Sequence, residues 1–133
     1  MFFISRIQIL VLLFFVCSFA NAATLKDVDD ARSLTDRVMA KVGEGDIESG
    51  IRMTKQFLII PAAEFDVMLD QLKMQQPAMA QRFGKSIGYE FIREDKVGAN
   101  LLRIIYVHRF EKHLMRWSFY FYRGESSKDH LRS

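Results

Sequence analysis

The sequence predicts an α+β domain in which helices come first and an antiparallel sheet follows. Up to Gly84 the apolar residues recur every three or four positions, the period of an amphipathic helix; beyond it they alternate, the period of a half-buried strand. A further observation bounds the domain. Residues 1–22 read as a secretory signal peptide: Arg6 is the only charge before Lys26, an apolar run from Ile7 to Val16 is interrupted only by Gln8, and Ala20-Asn21-Ala22 is an A-x-A cleavage site. The exported unit is expected over residues 23–133 as a single α+β roll domain, long enough for one core.

Thr24 with Asp27 resembles a capping box, and Val28, Ala31, Leu34 or Thr35, Val38 and Val42 form one stripe, so a first helix is expected over about 25–42. Gly43-Glu44-Gly45-Asp46 ends it, with glycine free to take a left-handed conformation and Asp46 placed to cap a short second helix through Ile47, Ile51 and Thr54. Pro61 suits the first position of a third helix, where its missing N–H costs nothing. Phe65, Met68, Leu69 and Leu72 line that helix's inner face, Pro77 allows at most a kinked extension, and Gly84 closes the helical half.

Three strands follow, over 86–94, 99–110 and 114–123, with turns at Asp95-Lys96-Val97-Gly98 and Glu111-Lys112-His113. A meander is the simplest topology, with a fourth strand as the alternative. With Phe110 opposite Leu114, Val107 pairs with Trp117, Ile105 with Phe119 and Arg103 with Phe121 on a helix-covered face. The other face then carries Leu102, Ile104, Tyr106, His108, Arg116, Ser118, Tyr120 and Tyr122. A slip of one residue exchanges the two sets. Arg103, placed among apolar residues, is expected to reach the rim or pair with an acid.

Composition excludes several function classes. Cys17, the only cysteine, lies in the leader, so the exported domain holds together by packing alone. Losing Arg6 with the leader lowers the formal net charge from +3 to +2, and the basic residues are scattered. That disfavours nucleic acid and strong electrostatic attachment to a membrane. No stretch after the leader approaches the roughly 20 apolar residues of a spanning helix. Asp66 and Asp70 share a helix face without further ligands at matched spacing, so no metal and no cofactor is expected. Gly43 and Gly45 lack the strand and lysine of a phosphate loop, and no serine lies in a nucleophile elbow.

The first helix ending in Gly43-Glu44-Gly45-Asp46, the amphipathic segment after it, and the strand Arg116-Trp117-Ser118-Phe119-Tyr120-Phe121-Tyr122-Arg123 resemble the nuclear-transport-factor-two-like superfamily, cone-shaped rolls of the cystatin-like kind. The chain looks most like small exported members with no assigned activity. The resemblance implies helices packed into a curved antiparallel sheet. It also implies a further long strand, where this sequence has only the polar stretch Ser126 to Ser133. The sheet edge left by that difference invites a partner.

Two functions follow as expectations. In the first, the chain is an exported, non-catalytic binding module that uses the roll cavity or an open sheet face bearing Tyr106, His108, Arg116, Tyr120 and Tyr122. The occupant would be a small apolar ligand, a strand-donating protein partner or a second copy in a homodimer. In the alternative it is a small hydrolase or isomerase. His108 and a buried Glu90 would form its acid-base pair, with Tyr106 as phenolic donor, as the resemblance implies for catalytic members. The leader places the protein in the periplasm, or outside the cell as the second choice.

Overall fold

The computed structural model describes residues 24–124; the expected leader and the stretch from 125 onward lie outside them. The chain forms α1 (Val28–Gly43), α2 (Ile47–Arg52), a 3-10 turn (Lys55–Phe57) and α3 (Ala62–Phe83), then β1 (Ser86–Val97), β2 (Leu101–Phe110) and β3 (Leu114–Tyr122). This is an α+β fold with helices packed on one face of a curved, unclosed antiparallel meander in the order β1-β2-β3.

The first two helices start where an aspartate side chain satisfies their first amides; α3, after Pro61, has no side-chain cap. Asp27, three residues later than expected, caps α1 by accepting from Asp30 N at 2.9 Å, while Asp30 reaches back to accept from Lys26 N at 3.1 Å. Asp46 caps α2 as expected, accepting from Ser49 N at 3.1 Å. Pro61 is the cap of α3 rather than its first helical residue, and α3 runs through Pro77 to Phe83 as one helix. Gly84, at φ 78°, then turns the chain into β1, and Glu111 pins the junction by accepting from Lys85 N at 2.9 Å.

α1 lies over β1 and β2 and presents Ala31, Leu34, Val38, Met39 and Val42, all buried, to Leu102, Ile104, Tyr106 and Phe121. α2 crosses α1 at a glycine. A Cβ on Gly50 would stand 2.9 Å from Val38 O, so only hydrogen allows this approach. α3 buries just Phe65 and Leu69, and at its far end Phe83 packs on Phe110 and stacks on His113.

The strand register corrects the sequence expectation. Phe110 N donates to His113 O, which leaves a two-residue loop, Glu111-Lys112, in place of three. Arg109 therefore faces Leu114, and Tyr106, Ile104 and Leu102 face Trp117, Phe119 and Phe121. The slip moves Leu102, Ile104, Tyr106 and His108 to the helix-covered face, while Trp117, Phe119 and Phe121 stay there. Arg103, Ile105 and Val107 turn to the opposite, outer face, where Ile105 is still buried, and Arg103 meets its expected acid, Asp95, at 2.8 Å. Hydrogen bonding from Arg103 holds the Asp95 carboxyl below its usual range. β1 also runs three residues further than expected, to Val97, with its turn at Gly98-Ala99-Asn100. Register shifts at Ile87 and Ile92 bend β1.

Candidate functional site

The residues singled out in the sequence do not form one surface. Tyr106 and His108 are fully buried on the inner face, whereas Arg116, Tyr120 and Tyr122 are exposed on the outer one. The expected binding face of five residues is thus divided between the two sides of the sheet, because one strand slipped and its neighbour did not. Glu90 is exposed and pairs with Val107, an outer-face residue; it is neither buried nor on the side of His108. The expected acid-base pair is not assembled.

Tyr106 is the hub of a polar cluster under α1. Its hydroxyl donates to Asp36 Oδ1 at 2.6 Å and lies 2.9 Å from Thr35 Oγ1. Asp36 also pairs with Arg32, whose guanidinium sits 3.2 Å from the centre of the Phe91 ring. Burial, reinforced by the carboxylate that accepts its proton, pushes the Tyr106 phenol far up, so the group stays protonated and serves as a fixed donor.

His108 lies at the base of a cleft of about 600 Å³ between the last turns of α3 and the start of β1, where Lys73, Lys85 and Glu44 also line the wall. Ser86 Oγ is 2.6 Å from His108 Nε2 and donates to Gly43 O at 2.7 Å. A hydroxyl has one proton, and the Gly43 carbonyl takes it; Nε2 must then carry the ring proton and donate to Ser86. A histidine protonated on that nitrogen cannot act as base toward the serine. Nδ1 is buried without a partner among the described residues, so no carboxylate orients the ring. The pair acts as a clamp between α1 and the sheet.

Burial pushes the His108 pKa down from its ordinary value. The folded value is therefore below the unfolded one of about 6.5, so the neutral ring's contribution is complete above that pH and is lost as pH falls through the folded value. The urea midpoint should drop between pH 7 and pH 5, and His108→Gln should flatten that drop while keeping a donor for Ser86. An equal drop in the variant would assign the acid sensitivity to other groups.

The second concavity lies along β3. α1 packs mainly over β1 and β2 and meets β3 at the buried Phe121, and a groove of about 260 Å³ lies between β3 and the α1–α2 corner. Leu34, Val38 and Ile51, with Thr54 and Leu58 beyond α2, form one wall; Trp117, Phe119 and Phe121 form the other. Trp117 is half-buried rather than enclosed, and its Nε1 is a buried donor with no acceptor among the described residues. The alternation of Trp117, Phe119 and Phe121 marks one wall in the sequence. Nothing local marks Ile51, Thr54 and Leu58 as the other.

The groove borders a free strand edge. Phe110 N donates to His113 O and Arg123 N to Asn100 O, which fixes the phase of the β2–β3 ladder: the odd-numbered residues of β3 spend their backbone groups on β2. Leu114, Arg116, Ser118, Tyr120 and Tyr122 consequently turn their N–H and C=O groups outward, and no strand pairs with them among the described residues. Edge β1 is blunted by its two irregularities and by Glu90, Arg93, Glu94 and Lys96, whereas β3 carries one charge, Arg116, between its ends.

No cluster of three or more His, Cys, Asp or Glu side chains among the described residues is placed to hold a metal ion, and no described helix is long and apolar enough to cross a membrane. No family model, curated protein or solved structure matches the chain.

Proposed function

We propose that this chain is an exported, non-catalytic binding module that captures an extended protein segment on the free edge of β3. The observation that carries this reading is the coincidence of an almost uncharged strand edge, unpaired among the described residues, with an apolar groove along the same strand. Added-strand recognition uses both parts: main-chain hydrogen bonds give affinity, and pockets for alternate side chains give selectivity. The order of helices followed by a meander is compatible with the nuclear-transport-factor-two-like superfamily, and the leader-like residues 1–22 support a place in the periplasm, with secretion as the alternative.

Trp117 is the chain's single tryptophan, so its emission reports on the groove directly. A lysine-flanked peptide of alternating threonine and valine, titrated at protein concentrations where the chain is monomeric, should shift that emission saturably. Ser118→Pro should abolish the shift, since the lost N–H points to the free edge and not into the β2 ladder. A peptide that leaves the emission unchanged, or that binds the proline variant equally well, would remove the reading. Export is tested separately by sequencing the N-terminus of protein from a periplasmic extract, where retention of residue 1 counts against it.

A further inference from the structure

Resting on strand capture at β3, we infer that the natural occupant of this edge is a second copy of the same strand, running antiparallel about a two-fold axis through Ser118. Hydrogen-bond phase selects this register. The free backbone groups belong to Leu114, Arg116, Ser118, Tyr120 and Tyr122. An antiparallel partner must set such residues against one another in closely bonded pairs. With Ser118 on the axis, Leu114 meets Tyr122 of the second copy and Arg116 meets its Tyr120, so every outward-pointing residue of β3 is used.

Side chains agree with the same register. On the outer face Arg116, which makes no salt bridge among the described residues, lies across from the exposed ring of Tyr120 in the second copy, and the two arginines are kept apart. Exposed Leu114 covers exposed Tyr122. On the inner face Trp117 stands opposite Phe119 of the second copy and Met115 opposite its Phe121, so apolar meets apolar along the seam. An isologous contact requires a patch complementary to itself, and this strand is one.

The helices leave room for the second copy. α1 lies over β1 and β2, so no comparable helix contact covers β3 where another strand must enter. The two-fold sets both helical layers on the same side of a joined six-stranded sheet and brings the two grooves together across the axis. Each groove then gains a wall from the other copy, so the apolar surface of Trp117 and Phe119 is covered without any change of fold.

The test uses single thiols in a Cys17→Ser background, which removes the only natural cysteine. Ser118→Cys sets two thiols across the axis with Cα atoms about 5.5 Å apart, inside the disulfide range of about 4.4–6.8 Å. Under mild oxidation it should give a covalent dimer. Arg116→Cys alone sets its thiols about 14 Å apart along the strands and should not, whereas Arg116→Cys mixed with Tyr120→Cys should. Ser118→Lys, which opposes two ammonium groups on the axis, should raise the dimer dissociation constant at least about tenfold in analytical ultracentrifugation without altering the circular dichroism spectrum. A chain that stays monomeric at all concentrations, or Arg116→Cys crosslinking as fast as Ser118→Cys, overturns the inference. Peptide uptake by such a monomer would leave strand capture standing and remove only the self-pairing; absence of both would remove the two together.

Discussion

Tyr106→Ala is expected to cost about 3–5 kcal/mol, the range for truncating a fully buried large aromatic, and to bring a domain of typical stability near the limit of folding. The ring is the centre of the inner face. Tyr89, Phe91 and Phe119 surround it with centroids 6.1, 5.6 and 5.9 Å away, and α1 closes it from above. Tyr106→Phe separates packing from hydrogen bonding. It keeps the ring and removes the bond to the Asp36 carboxylate, which is 44% exposed and can turn to water, together with the contact to Thr35 Oγ1, a hydroxyl that also donates to the backbone of its own helix. The expected loss is about 1.5–2 kcal/mol, the lower part of the range for a bond to a charged group. Urea titrations of both variants provide the measurement. A phenylalanine variant as unstable as the alanine one would mean that the hydroxyl network, and not the aromatic cluster, ties α1 to the sheet.

The role of Tyr106 shows what the sequence could and could not convey. Period alone located every helix and strand, because burying one stripe of a helix or one face of a strand writes itself into residue spacing. The boundaries of α1 and β1 moved by two or three residues, since Asp27 competes with Thr24 as cap and nothing in Asp95-Lys96-Val97 compels a turn. The larger discrepancy came from one loop. Glu111-Lys112-His113 carries no glycine or asparagine to announce a two-residue hairpin, and counting His113 as loop rather than strand reversed the faces of β2. Tyr106 and His108 then looked like a surface pair when they are core. The β3 face survived because Trp117, Phe119 and Phe121 sit on the covered side under either count. The free edge was legible as a long aromatic strand with few charges. The groove beside it was not, because its second wall comes from Ile51, Thr54 and Leu58, distant in sequence and chosen by the way α2 folds over α1.

Neighbouring residues of β3 are expected to differ sharply in what they support. Phe121 is 1% exposed and packs against the α1 cluster beside Leu102, its cross-strand partner. Tyr120, one position earlier, is 51% exposed on the outer face opposite Arg103. Truncating Phe121 to alanine removes a buried ring and leaves a cavity between β3 and α1, at a cost of about 3–5 kcal/mol. Truncating Tyr120 removes a ring that water already reaches and an exposed hydrogen bond with Arg103, a loss that should stay within about 1 kcal/mol. Both should be measured by urea unfolding at protein concentrations low enough that self-pairing does not contribute, since linkage to a dimer would add stability at Tyr120 that the monomer does not possess. The alternation is the physical content of the register: with Phe121 inward, Trp117 and Phe119 are inward too, and the groove has its wall. Equal losses at the two positions, or the larger loss at Tyr120, would turn the strand over. The wall would then be built from Arg116, Ser118 and Tyr120, and an apolar occupant would have nothing to pack against.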